Sequence, residues 1–324
     1  MARNVSKNKK FTVGLDLGGT KLAAALVDET GEIHAFQKES IVALKTDPKQ
    51  GPQKIAHLMG EMVTSFQERF PVSFQKSHFL GVGLASAGPL NVVQGCLINP
   101  ANFPGWKVVK IRELLEKELQ SRKIRCPVLF QNDAIAASRA EGWIGGAKGL
   151  VSYAVVTIGT GIGSGVIFNG SPVQTHGMGS EFGHVIANSP AIQCSADLRK
   201  FTVEGIASGT GILRRARNEM GFKGESVESL VIALENGETQ YQVLFDDAAD
   251  TIAALCYNLS IGFNLEKILF SGGLIKVRQL YFTRLKQRYA MLINELNPAF
   301  RCPLVVAKCL NQAGVVGAAS LPYL

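Results

Sequence analysis

The sequence contains no unbroken apolar run approaching the ~20 residues that a membrane-spanning helix needs. Its start, MARNVSKNKK, is basic, but FTVGLDLGGT follows, with neither a continuous apolar h-region nor a small-residue cleavage site. No membrane span and no secretory leader are therefore expected, and the reading is cytoplasmic. Closely paired cysteines are missing too. Cys96, Cys126, Cys194, Cys256, Cys302 and Cys309 are scattered through 324 residues, which reads as reduced thiols and not as a disulfide framework. A dense basic face is also absent. Of a net charge of +8, four charges sit on Arg3, Lys7, Lys9 and Lys10, and no comparable run follows. That argues against a nucleic-acid partner, while the mild remaining excess suits anionic substrates such as nucleotides. Residues 1–10 read as a solvated tail.

What is present is apolar material, 46% of residues against 19% charged, enough for buried cores in one large or two ordinary domains. Phe11–Leu15, Lys21–Val27 and a segment after Thr30-Gly31 read as three strands joined by tight turns. Ile55, Leu58, Met59, Met62, Val63, Phe66 and Phe70 line one face of a helix. HFLGVGLASAGP reads as a buried strand running into a loop, LINPANFPGWK as a loop and IRELLEKELQSR as an amphipathic helix. The pattern then restarts with the strand CPVLFQ, the helix NDAIAASRAEGW and the strand–turn–strand SYAVVTIGTGIGSGVIFNG. Helices are expected from about Val203 into the 250s, then a strand over Lys267–Phe270, the strand PLVVAK and the helix AGVVGAASL.

FTVGLDLGGTKLAAALV and YAVVTIGTGIGSGVIF share one plan, an apolar strand, a Gly-rich turn and a second apolar strand. Such a repeat implies two similar α/β halves with a ligand cleft between them. Glycine reaches φ > 0 and carries no side chain, so successive backbone N–H groups of Gly18-Gly19 and of Gly159 to Gly161 can converge on phosphate. Thr20, Thr157 and Thr160 would add hydroxyl donors, and Asp16, beside the first turn, can hold Mg²⁺ through water. Neither turn is a Walker A loop, since Thr20 stands where that pattern has Lys and a strand follows it. GTGIGSG is not a dinucleotide fingerprint either, because its third Gly is misplaced and no helix follows.

DLGGT and TIGTGIGSG resemble the phosphate-binding motifs of the sugar kinase, Hsp70 and actin superfamily. GLASAGPLN, NPANFPGW, NDA, EFGH, EGIASGTGI, SGG and QAGVVGAA, in that order, narrow the resemblance to ROK sugar kinases. It implies two ribonuclease-H-like lobes around a cleft, a small one from 11–132 plus 311–324 and a large one from 133–310. It also implies an ATP-dependent kinase with Asp133 as general base, a group suited to take the proton of an attacking hydroxyl. Asp133 would otherwise serve as a helix N-cap. The hexose would be held by Asn102, Asn132, Asp133, Glu181, His184 and Glu204, with Glu204 and His184 at the anomeric end. Lys21 joins the implied ATP site, and Gly272-Gly273 would lie against the adenosine. Of assembly, a homodimer is one state the sequence allows.

The chain departs from the family in one region. ROK members often bind zinc through the EFGH histidine and three cysteines. Here Cys194 follows His184, Ala196 takes the second Cys position, and no cysteine recurs before Cys256. That ligand set is incomplete, so no structural zinc is expected. Ile135 replaces a common Asn after NDA, and Ala87-Gly88-Pro89 stands for Pro-Gly-Pro. Glucose is the expected sugar, with N-acetylmannosamine, N-acetylglucosamine, fructose or allose as alternatives and polyphosphate as an alternative donor. A ROK regulator would carry a helix-turn-helix domain ahead of the first motif, where ten residues stand, and a catalytically dead sugar binder would not need Asp16, Asp133 and both turns.

Overall fold

Alternation of large and small side chains decides how the first half of the chain packs. The structure, a computed structural model, describes residues 9–175, 177–187 and 197–323. Strands β1 (Phe11–Leu17), β2 (Lys21–Asp28) and β3 (Ile33–Ser40) lead into helices α1 (Val42–Lys45) and α2 (Gly51–Arg69). Then follow β4 (Phe79–Ser86), the short strands β5 (Leu90–Asn91), β6 (Cys96–Ile98) and β7 (Val108–Val109), α3 (Ile111–Ser121), β8 (Val128–Asn132) and α4 (Asp133–Trp143). Strands β9 (Tyr153–Ile158), β10 (Ile162–Phe168) and β11 (Ser171–Pro172) precede α5 (Val203–Ala207), α6 (Gly209–Met220), α7 (Val227–Glu235) and α8 (Gln242–Phe263). The chain closes with β12 (Lys267–Ser271), α9 (Phe282–Leu296), β13 (Leu304–Val306) and α10 (Ala313–Ser320). None of the described helices is long and apolar enough to cross a membrane.

The chain divides into two units, Met1–Gly149 with Gln174–Gly179 and Asn311–Leu324, and Leu150–Val173 with Ser180–Leu310. Helix α4 goes with the first unit, whereas the sequence boundary at residue 133 would have put it in the second. The cause is its packing on α10: a Cβ on Gly317 would stand 1.7 Å from the carbonyl oxygen of Ala136, so the two backbones touch. No periodicity in either helix shows that choice of partner.

In the first unit the sheet order is β3-β2-β1-β4-β8, with β1–β2 antiparallel and β1–β4 and β4–β8 parallel. Period-two alternation gives it two unlike faces. Val13, Leu15 and Leu17 of β1, Leu22 and Leu26 of β2 and Leu84 of β4 pack with Ile55, Met59, Val63 and Phe66 of α2 and Leu115 and Leu119 of α3. Burial of each such side chain contributes about 1.5–3 kcal/mol. The opposite face is small. Cβ atoms on Gly14 and Gly83 would stand 2.0 Å and 1.8 Å from the carbonyl oxygens of Val315 and Ala318, so α10 lies directly on β1 and β4. Asp16, two residues beyond Gly14, is on that same α10 face.

The second unit repeats the plan. Its order is β11-β10-β9-β12-β13, with β9–β10 and β10–β11 antiparallel and β9–β12 and β12–β13 parallel. Ala154, Val156, Ile158, Val166, Ile268 and Phe270 pack with Leu244, Phe245, Ala248, Ile252 and Leu259 of α8. Helix α9 was not read from the sequence. Its signal is present, since the buried Leu285, Tyr289 and Ile293 recur every four residues, but Lys, Arg and Gln interrupt it.

Candidate active site

In the first unit the candidate residues collect at the carboxyl ends of the parallel strands β1 and β8. Open α/β sheets bind ligands at that edge, where loops are free to vary and strand ends fix their roots. Asp16 is the penultimate residue of β1. Asn132 ends β8, and Asp133 is the first residue of α4. The N-cap of α4 is Asn132, not Asp133: its Oδ1 accepts the N–H of Ala134 at 2.9 Å and that of Ile135 at 3.2 Å. Asp133 Oδ1 accepts the Ala134 N–H as well, at 2.8 Å. The N-cap of α4 is thus supplied by Asn132, and α4 does not depend on Asp133 alone for it.

Both carboxyls are held above the usual range. Burial raises that of Asp133, against the pull of the Ala134 N–H. Burial first, and then the charge of Asp133, push Asp16 up to about 7, with Lys38 opposing. Lys38 is on the same row of the sheet, since Asp16 pairs with Ala23 and Ala23 with Lys38. A second neighbour of Asp16 was missed in the sequence: a Cβ on Gly314 would stand 2.3 Å from Asp16 Oδ2. Gly314 belongs to QAGVVGAA, a stretch whose role the sequence did not reveal, and its lack of a side chain lets α10 approach the carboxylate. Two partly buried acids, near enough for the charge of Asp133 to raise the pKa of Asp16, are a site that a hard divalent cation would neutralise, so Asp16 fits a Mg²⁺ ligand through water.

The turn Gly18-Gly19 is closed by the Gly18 N–H on the Lys21 carbonyl, 3.0 Å, and leaves Thr20 and Lys21 exposed. Its glycines do not adopt the positive φ that was expected of them. Among described glycines, positive φ occurs at eleven positions, and Gly18, Gly19, Gly159 and Gly161 are not among them. At Gly19 the demand is for space, as a Cβ would come within 3.0 Å of the side chain of Asn102. Lys45 of α1, another residue missed in the sequence, ties the two together. Its ammonium donates to the Gly19 carbonyl at 2.5 Å and the Asn102 carbonyl at 3.1 Å. A lone lysine in a short helix carries no signal that could have singled it out.

In the second unit the turn Gly159-Thr160-Gly161 joins β9 to β10, and Thr157 pairs across to Ser271 of β12. Gly272-Gly273 therefore follows β12 beside this turn. Gly272 has φ 94°, and a Cβ on it would stand 2.4 Å from the Ile158 carbonyl oxygen. Both demands favour glycine at this position. The N–H of Gly209 donates to the Gly159 carbonyl at 2.8 Å and that of Thr210 to the Thr160 carbonyl at 3.1 Å, which pins the turn to the start of α6.

Glu204, in the first turn of α5, is closer to this turn than the sequence implied. Its Oε2 accepts the Ile162 N–H at 2.8 Å and would stand 2.4 Å from a Cβ on Gly161. Its Oε1 is 4.0 Å from Nδ1 of the exposed His184. His184 ends a 3-10 turn, Phe182–His184, whose first N–H bonds Ser164 Oγ at 3.0 Å, while Glu181 precedes it and accepts the His184 N–H at 3.0 Å. Cys194 and Ala196, on which the expected absence of zinc rests, lie outside the described residues.

Residues 12–323 match the ROK family. A Thermotoga maritima glucokinase is 26% identical over 95% of this chain and 96% of its own length. An Escherichia coli O1:K1 N-acetylmannosamine kinase is 28% identical over 96% and 97% respectively. Among solved structures, a ROK hexokinase from Thermus thermophilus superposes with a TM-score of 0.80 at 27% identity, covering 95% of this chain and 96% of that one. The shared strand order of the two sheets is that of the actin, Hsp70 and sugar kinase fold. With a match that runs from β1 to the residues beyond α10, the chain belongs to the ROK family.

Proposed function

We propose that this chain is an ATP-dependent hexokinase-type phosphotransferase and that its substrate is D-glucose, phosphorylated on the 6-hydroxyl. The observation that carries the reading is Asp133: a carboxylate relieved of capping by Asn132, partly buried, and close enough to Asp16 to raise its pKa. Asp133 accepts the proton of the hexose hydroxyl as that oxygen bonds to the γ-phosphorus. The bond from that phosphorus to the β–γ bridging oxygen breaks, and ADP leaves. A carboxyl raised by burial is a stronger base than a solvated one and suits this step. Asp16 would hold a Mg²⁺, which supplies charge neutralisation for the phosphates.

Asn102, Asn132, Glu181, His184 and Glu204 form the proposed hexose set, since side chains that donate and accept suit a ring of hydroxyls. Gly18, Gly19, Thr20, Lys21, Thr157, Gly159, Thr160, Gly161, Gly272 and Gly273 form the proposed nucleotide set. Sites that bond particular hydroxyls reject analogues by up to about 10⁴-fold. The test is kcat/KM for glucose, mannose, fructose, allose, N-acetylglucosamine and N-acetylmannosamine under one ATP and Mg²⁺ concentration. Glucose is expected to lead. A rival sugar ahead by about tenfold would keep the kinase reading and remove glucose from it.

The incomplete ligand set of His184 and Cys194 supports a loop without metal. Elemental analysis of purified protein is expected to find no stoichiometric zinc, and a zinc chelator should leave Tm unchanged. One zinc per chain would overturn this part.

A further inference from the structure

Ile162, the first residue after the second Gly-rich turn, is held on both sides. Its N–H donates to Oε2 of Glu204, 2.8 Å. A Cβ on Gly183 would stand 1.9 Å from the Ile162 carbonyl oxygen, so the 3-10 turn that ends in His184 rests on the same residue. The helix of Glu204 is fastened to this turn a second way. The Ser208 N–H donates to the Glu204 carbonyl at 3.0 Å, and the next two N–H groups, of Gly209 and Thr210, donate to Gly159 and Thr160. Ser208 caps α6 through the Gly211 N–H at 3.0 Å and so fixes that junction. One carboxylate therefore has two faces: Oε2 on the turn, and Oε1 4.0 Å from the exposed His184.

We propose that Glu204 is a positioning residue that couples the two substrates: a hexose held at Oε1 and His184 stiffens the Gly159–Gly161 turn through Oε2 and raises its affinity for nucleotide. This rests on the kinase reading above. A hydrogen bond to a charged acceptor, once lost, frees the Ile162 N–H and the turn it anchors. By linkage, the nucleotide raises hexose affinity by the same factor.

The test is the Kd of the non-hydrolysable nucleotide AMPPNP with Mg²⁺, by calorimetry, with and without saturating glucose, on the full chain. In the wild type glucose is expected to tighten AMPPNP about fivefold or more. Glu204→Ala should weaken AMPPNP about tenfold in the absence of any sugar and abolish the glucose effect. A residue that only touched sugar would leave the sugar-free value unchanged. Glu204→Gln keeps an acceptor for Ile162 and should bring sugar-free AMPPNP binding back to within about threefold of wild type. It also serves where the alanine variant fails to fold. His184→Ala should lower glucose affinity with sugar-free AMPPNP binding intact. A sugar-free Kd for Glu204→Ala equal to wild type, or a Gln variant as weak as the Ala one, overturns the proposal alone. A wild type that binds no AMPPNP overturns the kinase reading with it.

Discussion

Asp133→Ala is expected to lower kcat by ~10²–10⁴ while KM for the hexose changes only a few-fold. The same variant should be as stable as the wild type or more so. The N-terminus of α4 keeps its cap, because Asn132 accepts the Ala134 and Ile135 N–H groups. The substitution also removes a carboxyl whose burial disfavours its charged form. A purely structural Asp133 would show the reverse pattern, a lower Tm with turnover intact. Asp133→Asn keeps the shape and removes the base, so it should match the Ala variant in kcat. Turnover within a few-fold of wild type in both variants would remove Asp133 from the chemistry.

Asp16→Asn is the second substitution with a large expected effect, a loss in kcat/KM of roughly 10²-fold or more, recovered in part at high Mg²⁺. Its stability effect has a definite sign. The folded-state pKa of Asp16 lies above its ordinary value, at about 7 against 3.8, so between those two pH values the folded chain binds a proton that the unfolded chain does not. Stability of the unliganded protein therefore falls as pH rises from about 4 to about 7 and levels off above. The penalty at pH 8 is on the order of 4 kcal/mol, and the neutral amide removes it. The groups that set it are Asp133, which raises the pKa, Lys38, which lowers it, and the start of α10 at Gly314. Asp28 titrates oppositely, its carboxyl held low by Lys9, Thr30 and His34 despite burial, so its contribution is lost only in stronger acid. Urea denaturation at pH 5 and pH 8 should show the wild type weaker at pH 8 and Asp16→Asn much less so. Equal slopes in the two proteins would show that Asp16 ionises normally.

Most strand and helix positions in this chain follow from local chemistry and were legible, α9 being an exception. Short apolar runs bounded by turns set β1, β2, β4 and β9, and the apolar stripe from Ile55 to Phe66 set α2. The repeated strand–turn–strand plan is realised as two sheets of one order. The motif stretches led to the family, since their order is a property of the chain alone. The glycines were found for an incomplete reason. Conformational freedom was the expected ground, yet what the fold uses at Gly19 and Gly161 is space, because the side chains of Asn102 and Glu204 stand close to where a Cβ would be. That demand comes from residues distant in sequence, and no local pattern carries it.

The sequence by itself determined most of the elements, the two-fold repeat and, through its motifs, the family, and that resemblance singled out the carboxylate proposed as base. Each depends on residue type and spacing within a short window. The tertiary structure decided the rest: that Asn132 and not Asp133 caps α4, that Gly314 and Lys38 surround Asp16, that Lys45 ties Gly19 to Asn102, and that Glu204 holds the Gly159–Gly161 turn at Ile162. These are contacts between segments up to about 300 residues apart, such as Asp16 with Gly314. Which side chains meet there depends on how α10 and α5 pack on their sheets, and close packing of whole elements fixes that where spacing along the chain cannot.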